Sequence, residues 1–336
     1  MLYDVQKRRS LSSVLKENCM KAVRSEHFPL IAILIVLIAG FATMTDGKSL
    51  HTDNLLNILL QSSMVGVVSV GQALVLITAG IDLSVGGTAV LVACIGASLL
   101  STEPSFLGSI PLAAGLVLML LAGAGFGAIN GVLVSRLRLA PLIVTLATWQ
   151  IANGTAFVVS HGGDTIRAPG AVAFIAHQSI GGVPIPAFIF IAFIVLGYSI
   201  LRHTTFGHSI YAVGGNEATA WLSGIRVSTV RFWVYVISGL CAAVAAMVQM
   251  SRVMAASPNV ITGLELDSIA AVVIGGVSLF GGKGSIIGVL VGVLILGVIN
   301  NGMNMARLNI FMQYMVKGGI ILVAVAIDAW RRRRLS

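Results

Sequence analysis

From Asn54 to Ile81 the chain carries no charged residue, and a second uncharged run follows from Leu83 to Thr102. Neither run alternates with the two-residue period of a half-buried strand. A hydrocarbon layer about 30 Å thick needs roughly 20 apolar residues per helix, and runs of that kind recur to the end of the chain. The pattern predicts helices over 28–45, 54–79, 84–101, 107–134, 141–160, 184–201, 232–251, 266–281, 285–303 and 309–327. The eighth is short and rich in glycine, and the fourth is long enough to tilt or break. Only two connections are large, 161–184 and 202–231.

Composition agrees with the pattern. Hydrophobic residues make up 57% of the 336 and charged residues 10%, against about a quarter charged in soluble domains. The chain therefore reads as an all-α integral membrane protein with one membrane domain over 28–328. A basic segment, 1–27, precedes it and a basic tail, 329–336, follows. Six Lys or Arg and no apolar core occupy the first 27 residues, so no cleavable signal is expected.

Charge supplies the orientation. An even number of spans leaves both termini on one side. That side collects Lys7, Arg8, Arg9, Lys16, Lys21, Arg24, Arg136, Arg138, Arg202, Arg226, Arg231, Lys283 and Arg331 to Arg334. The opposite side holds only Lys48, Arg167, Arg252 and Arg307. The positive-inside rule makes the crowded side, with both termini, cytoplasmic. The same bias explains the net charge of +9 without nucleic acid, because the cations flank spans.

Several chemistries find no support. "FGGKGS" lacks the Walker pattern, since Val277 and Gly284 stand where glycine and Ser or Thr are required. His27, His51, His161, His177, His203 and His208 have no partner at metal spacing. Cys19, Cys94 and Cys241 are scattered, as small apolar fillers are. No metal site, no cofactor on this chain and no catalytic residue is expected, and the chain is not read as an enzyme.

Two stretches break the apolar pattern. "ITAGIDLSVGG" sets the carboxylate Asp82 among glycines, and "VLITAGIDLSVGGT" is echoed by "AVVIGGVSLFGGKGS" through a shared G-x-x-L-x-x-G. Paired glycine-interrupted segments in two halves of a transporter point toward its pathway. "YAVGGNEATAWLSGI" writes a short capped helix. Gly214 and Gly215 break the chain, Asn216 caps, Glu217 meets the positive helix end, and Gly224 suits the left-handed C′ position. Such a short helix needs a partner to pack on: the lipid surface or, preferred here, a docking protein.

"NEATAWLSGI" resembles the coupling-helix motif of ABC importer permeases, with Thr219 in place of the second alanine and Gly224 one residue late. Together with "GIDLSVGG", "ELDSIAAVVIGGVSLFGGKGS" and "GVINNGMN", it makes residues 28–328 similar to the ribose-type carbohydrate branch of that family. The resemblance implies a type II importer-like permease with about ten helices per subunit. It implies a homodimer or a pair with a paralogous permease, a periplasmic sugar-binding protein, and a cytoplasmic ATPase that holds ATP and Mg. It also implies coupling to the ATPase through Asn216, Glu217, Ala218, Trp221 and Gly224. The competing reading is a stand-alone secondary sugar transporter or facilitator, for which Asp82 is the one intramembrane carboxylate available.

Candidate pathway residues are Asp82, Ser84, Gly86, Gly282, Asn300, Asn301 and Asn304. Charged residues inside membranes are expensive and mark functional sites by default, although Asp82 could equally cap the helix starting at Ser84 or hold Lys317. Span amides suit sugar hydroxyls but also join helices. Lys317, in the outer half of the last span, could snorkel outward, line the pathway, or pair with Asp82, Glu265 or Asp267. Asp267 is the preferred partner, because it opens the eighth span at the same depth.

Overall fold

In lipid every backbone N–H and C=O must find a partner within the protein, so long apolar runs become helices. The computed structural model describes residues 28–101 and 110–333. Its elements are α1 (Phe28–Met44), α2 (Thr52–Ile77), α3 (Ser84–Leu100), α4 (Leu112–Ser135), α5 (Pro141–Val159), β1 (Ile166–Arg167), α6 (Phe174–His177), β2 (Ser179–Ile180) and β3 (Val183–Pro184). Then follow α7 (Ile185–His203), α8 (Thr205–Gly215), α9 (Glu217–Leu222), α10 (Val227–Val253), β4 (Ala255–Ala256), α11 (Leu264–Ile274), α12 (Ile286–Met305) and α13 (Ile310–Arg333).

Among the described residues seven helices are long and apolar enough to cross a membrane: α2, α4, α5, α7, α10, α12 and α13. The other expected spans are α1 and α3, of 17 residues each, and α11, of 11. The eighth expected span, 266–281, is corrected: its helix ends at Ile274, and the apolar run continues as a turn through Gly275 and Gly276. The fourth begins at Leu112 rather than 107, after Pro111; residues 107–109 of that expectation lie outside the described ones. Gly214 and Gly215 interrupt the helical run before Asn216, as expected. They end α8, which is capped by Thr204, whose hydroxyl accepts the Gly207 N–H at 3.0 Å. The expected seventh span gains five residues at its start, so Arg231 lies inside α10.

α2 and α10 form the centre. In its most apolar window α2 is 72% buried, whereas α13 is 6% buried and presents its face outward. Glycines set the closest crossing: on α4, Gly123, Gly127 and Gly131 lie against the backbone of α10 at Gly239, Tyr235 and Phe232. Small residues at four-residue spacing let two membrane helices approach to backbone contact.

Contacts sort the connections onto two faces. On one, Asn54 and Asn301 exchange amide hydrogen bonds at 3.0 and 2.8 Å, β1 pairs with β4, and β2 with β3 closes a small hairpin in the 161–184 connection. On the other, the Gly282 N–H donates to the Ile77 carbonyl at 2.8 Å, and the Leu279 N–H to Asp328 Oδ2 at 3.2 Å.

Candidate functional site

The first break lies between α2 and α3. α2 ends with paired reverse hydrogen bonds: Ala79 N–H to the Leu76 carbonyl, and Gly80 N–H to the Val75 carbonyl. Ala79 takes the left-handed conformation, φ 59°. Asp82 follows and is 1% exposed. Its Oδ1 accepts the Ser84 N–H at 2.9 Å and the Ser84 hydroxyl at 2.6 Å, while Oδ2 accepts the Ser238 hydroxyl of α10 at 2.7 Å. Asn130 of α4 donates to Ser84 Oγ at 2.7 Å and accepts from Thr148 of α5 at 2.8 Å. The Tyr235 hydroxyl of α10 donates to the Ile81 carbonyl at 3.1 Å. Ser238 lies roughly 16 Å along α10 from its start, at 1.5 Å per residue, so this network sits within the membrane-spanning body. A buried carboxylate without hydrogen bonds would be very costly; here four helices and their hydroxyls and amides enclose it.

The second break, 275–285, follows α11. That helix closes in the same way, Gly276 N–H to the Val273 carbonyl and Val277 N–H to the Val272 carbonyl, with Gly276 at φ 87°. Backbone and loop contacts hold the rest. Tyr211 of α8 donates to the Gly284 carbonyl at 2.9 Å. Burial raises the Tyr211 phenol above its ordinary value, against the opposing pull of Arg202, so the hydroxyl stays a donor. Gly214 packs against the Ile77 carbonyl and the Gly282 N–H, where a side chain has no room. The end of α8 is thus a shared abutment for both breaks, and the two echoed sequence segments meet at the Gly282–Ile77 hydrogen bond.

α9 stands beside this abutment. The Asn216 side chain accepts the Thr219 N–H at 2.9 Å. At the far end the Ile225 N–H reaches the Ala220 carbonyl and the Gly224 N–H the Trp221 carbonyl, with Gly224 at φ 83°. That is the Schellman arrangement, for which C′ glycine is the usual residue. Ala220 is buried in the core, Ala218 is exposed, and Trp221 and Leu222 are 69% and 77% exposed. Glu217 is turned back toward the body: both its oxygens bind Arg231 of α10, at 3.0 and 2.7 Å. Arg231 was read from sequence only as one of the flanking cations.

The remaining candidates are separate from these. Lys317 Nζ is 2.8 Å from Asp267 Oδ2, and both side chains are mostly buried; Asp82 and Glu265 are not its partners. The Glu265 carboxylate instead lies where a Gly86 side chain would be, so α11 crosses the first turn of α3 there. Asn301 pairs with Asn54, Asn304 accepts from Gln313 at 2.9 Å, and the Asn300 side-chain oxygen is buried without a partner. Gln72, one of the span amides, is fully buried and neither end of its amide is paired.

These features define a class: a multi-span helical membrane protein with two breaks between helices, both braced against a segment that presents a short, capped helix on one face. Residues 54–325 match the family described as branched-chain amino acid transport system / permease component, and the chain belongs to that family. It is 41% identical over 313 residues to the ribose import permease protein RbsC of Escherichia coli K12, covering 92% of this chain and 95% of that one. Ribose import permease protein RbsC of Bacillus subtilis 168 is 36% identical over 96% and 98% of the two chains. Fructose import permease protein FrcC of Rhizobium meliloti is 37% identical over 91% and 85%. No solved structure matches. The protein is a transport subunit of an ABC importer, multi-pass in the bacterial cytoplasmic membrane.

Proposed function

We propose that this permease moves a monosaccharide or sugar-like solute of the ribose, pentose and hexose class from periplasm to cytoplasm. The single observation that carries the reading is near-full-length identity to permeases whose names specify ribose and fructose import. The family description names branched-chain amino acids, but it is the broader label, and the full-length relatives decide the class. This reading has ten membrane passes within 28–328, with both termini and the 211–231 segment cytoplasmic, and the charge bias supports it. The basic segments 1–27 and 329–336 then lie on the cytoplasmic side.

α9 is the coupling helix. Trp221 and Leu222 form an apolar contact for a cytoplasmic ATPase that carries ATP and Mg, while Asn216 and Gly224 hold the helix shape. A periplasmic binding protein delivers the sugar, and a second permease, identical or paralogous, completes the channel. Asp82, Ser84 and Gly86 line the first break and Gly282 the second; these breaks and the Asn300–Asn304 end of α12 flank the pathway. The test is uptake of labelled ribose into proteoliposomes holding permease, ATPase and binding protein, with unlabelled fructose, allose and arabinose as competitors. Uptake that needs ATP and is competed by one of these sugars is expected. Sugar uptake by the permease alone would replace this reading with a facilitator.

A further inference from the structure

Arg231, Tyr235 and Ser238 occupy positions i, i+4 and i+7 of α10, one stripe on a single helix face. Each fastens a different part of the molecule. Arg231 takes Glu217 of α9 in a two-point ion pair, Tyr235 donates to the Ile81 carbonyl, and Ser238 donates to Asp82. α9 has six residues, too few to hold a helix in water unaided. Besides its own caps, it is tied to the body by Ala220 in the core and by this ion pair. Exposed pairs are usually weak, but a two-point Arg–carboxylate fork fixes orientation as well as distance.

We infer that Arg231 is the positioning residue of the coupling helix, and that the Arg231–Tyr235–Ser238 stripe carries a displacement of that helix to the Asp82 break. The inference rests on α9 being the docking helix. It also gives Glu217 a role: its carboxylate serves the strut inside this chain, and Trp221 with Leu222 is left to meet the ATPase.

The strut can be tested apart from the docking. In the full permease in lipid nanodiscs, Arg231→Met should speed amide exchange over 217–222 by about tenfold, the loss expected for a charge-assisted pair. Glu217→Arg with Arg231→Glu should return it toward the native rate. In proteoliposomes with ATPase and binding protein, Arg231→Met should lower the ribose moved per ATP hydrolysed, and the swapped pair should recover it. Arg231→Lys keeps the charge without the fork and should fall between. Tyr235→Phe should leave exchange over 217–222 native but still lower the transport ratio, since it cuts the stripe further along. A native transport ratio in Arg231→Met, or a swapped pair no better than the worse single variant while eluting as folded protein, would overturn the inference. If Trp221→Cys gave no cross-link to the ATPase, the docking reading would fail by itself, and the exchange rates would still decide the strut.

Discussion

The two breaks begin alike and are held differently. Both follow a helix closed by the same pair of reverse hydrogen bonds, with a left-handed residue at the turn, Ala79 in the first and Gly276 in the second. The first returns to helix at Ser84, buries Thr78, Gly80 and Asp82 while leaving Ala79 exposed, and is fastened by side chains: Asp82 to Ser84 and Ser238, with Asn130 and Thr148 behind. The second runs to Ser285, leaves Phe280 and Lys283 exposed, and is fastened largely through backbone, to Ile77, Tyr211 and Asp328. A buried polar network is all-or-none, because one missing member strands the others. Backbone ties at a surface can exchange with water. The first break is therefore held by buried side chains, and the second, against the end of α8, by ties that lie nearer the surface.

Substitutions can break or sharpen that contrast. The largest effect belongs to Asp82→Ala, which strands the Ser84 N–H and the hydroxyls of Ser84 and Ser238; about 3 kcal/mol or more should be lost at roughly 1–3 per orphaned group. Unfolding in mixed micelles measures it, and native stability with a raised KM for sugar would make Asp82 a substrate contact instead. Next, Gly214→Ala places a methyl on the Ile77 carbonyl and should cost about 1–3 kcal/mol as an overpacked contact. Transport should fall while membrane insertion is kept; full transport would mean that α8 is no abutment.

Lys317→Met probes how α11, the helix leading into the second break, is held to α13. It should reduce stability by about 2 kcal/mol by leaving Asp267 mostly buried and unpaired. Adding Asp267→Asn should restore part of this, and a double variant no better than the worse single would show that the pair contributes nothing. The smallest effect is a gain. Ala79→Gly removes a left-handed alanine costing roughly 1 kcal/mol, less the added freedom of the unfolded chain. A slight rise in melting temperature is expected; a clear fall would show that the Ala79 methyl packs usefully against Gly281.

Features written locally could be read from the sequence. Uncharged runs marked the spans because lipid tolerates little else, and α9 was legible because its caps, Asn216 and Gly224, are adjacent to it. The end of α11 was overrun because the apolar run through Val277 to Phe280 outlasts the helix. α8 was missed because its glycines, which permit close packing on Ile77, look like breakers. The partners of Asp82 could not be read, since Ser238 lies 156 residues away and nothing local couples them. Arg231 was hidden by its own commonness: a cation flanking a span needs no further explanation until its carboxylate is seen.

The central claim is that the 211–231 segment faces the cytoplasm and receives the ATPase. Cysteine placed at Ser223, in a chain whose own cysteines are replaced by serine, tests it with a membrane-impermeant maleimide. Labelling should be absent in intact cells, strong in inverted vesicles, and suppressed there when the ATPase is bound. Labelling of intact cells, or labelling in inverted vesicles that the ATPase leaves unchanged, would contradict the account.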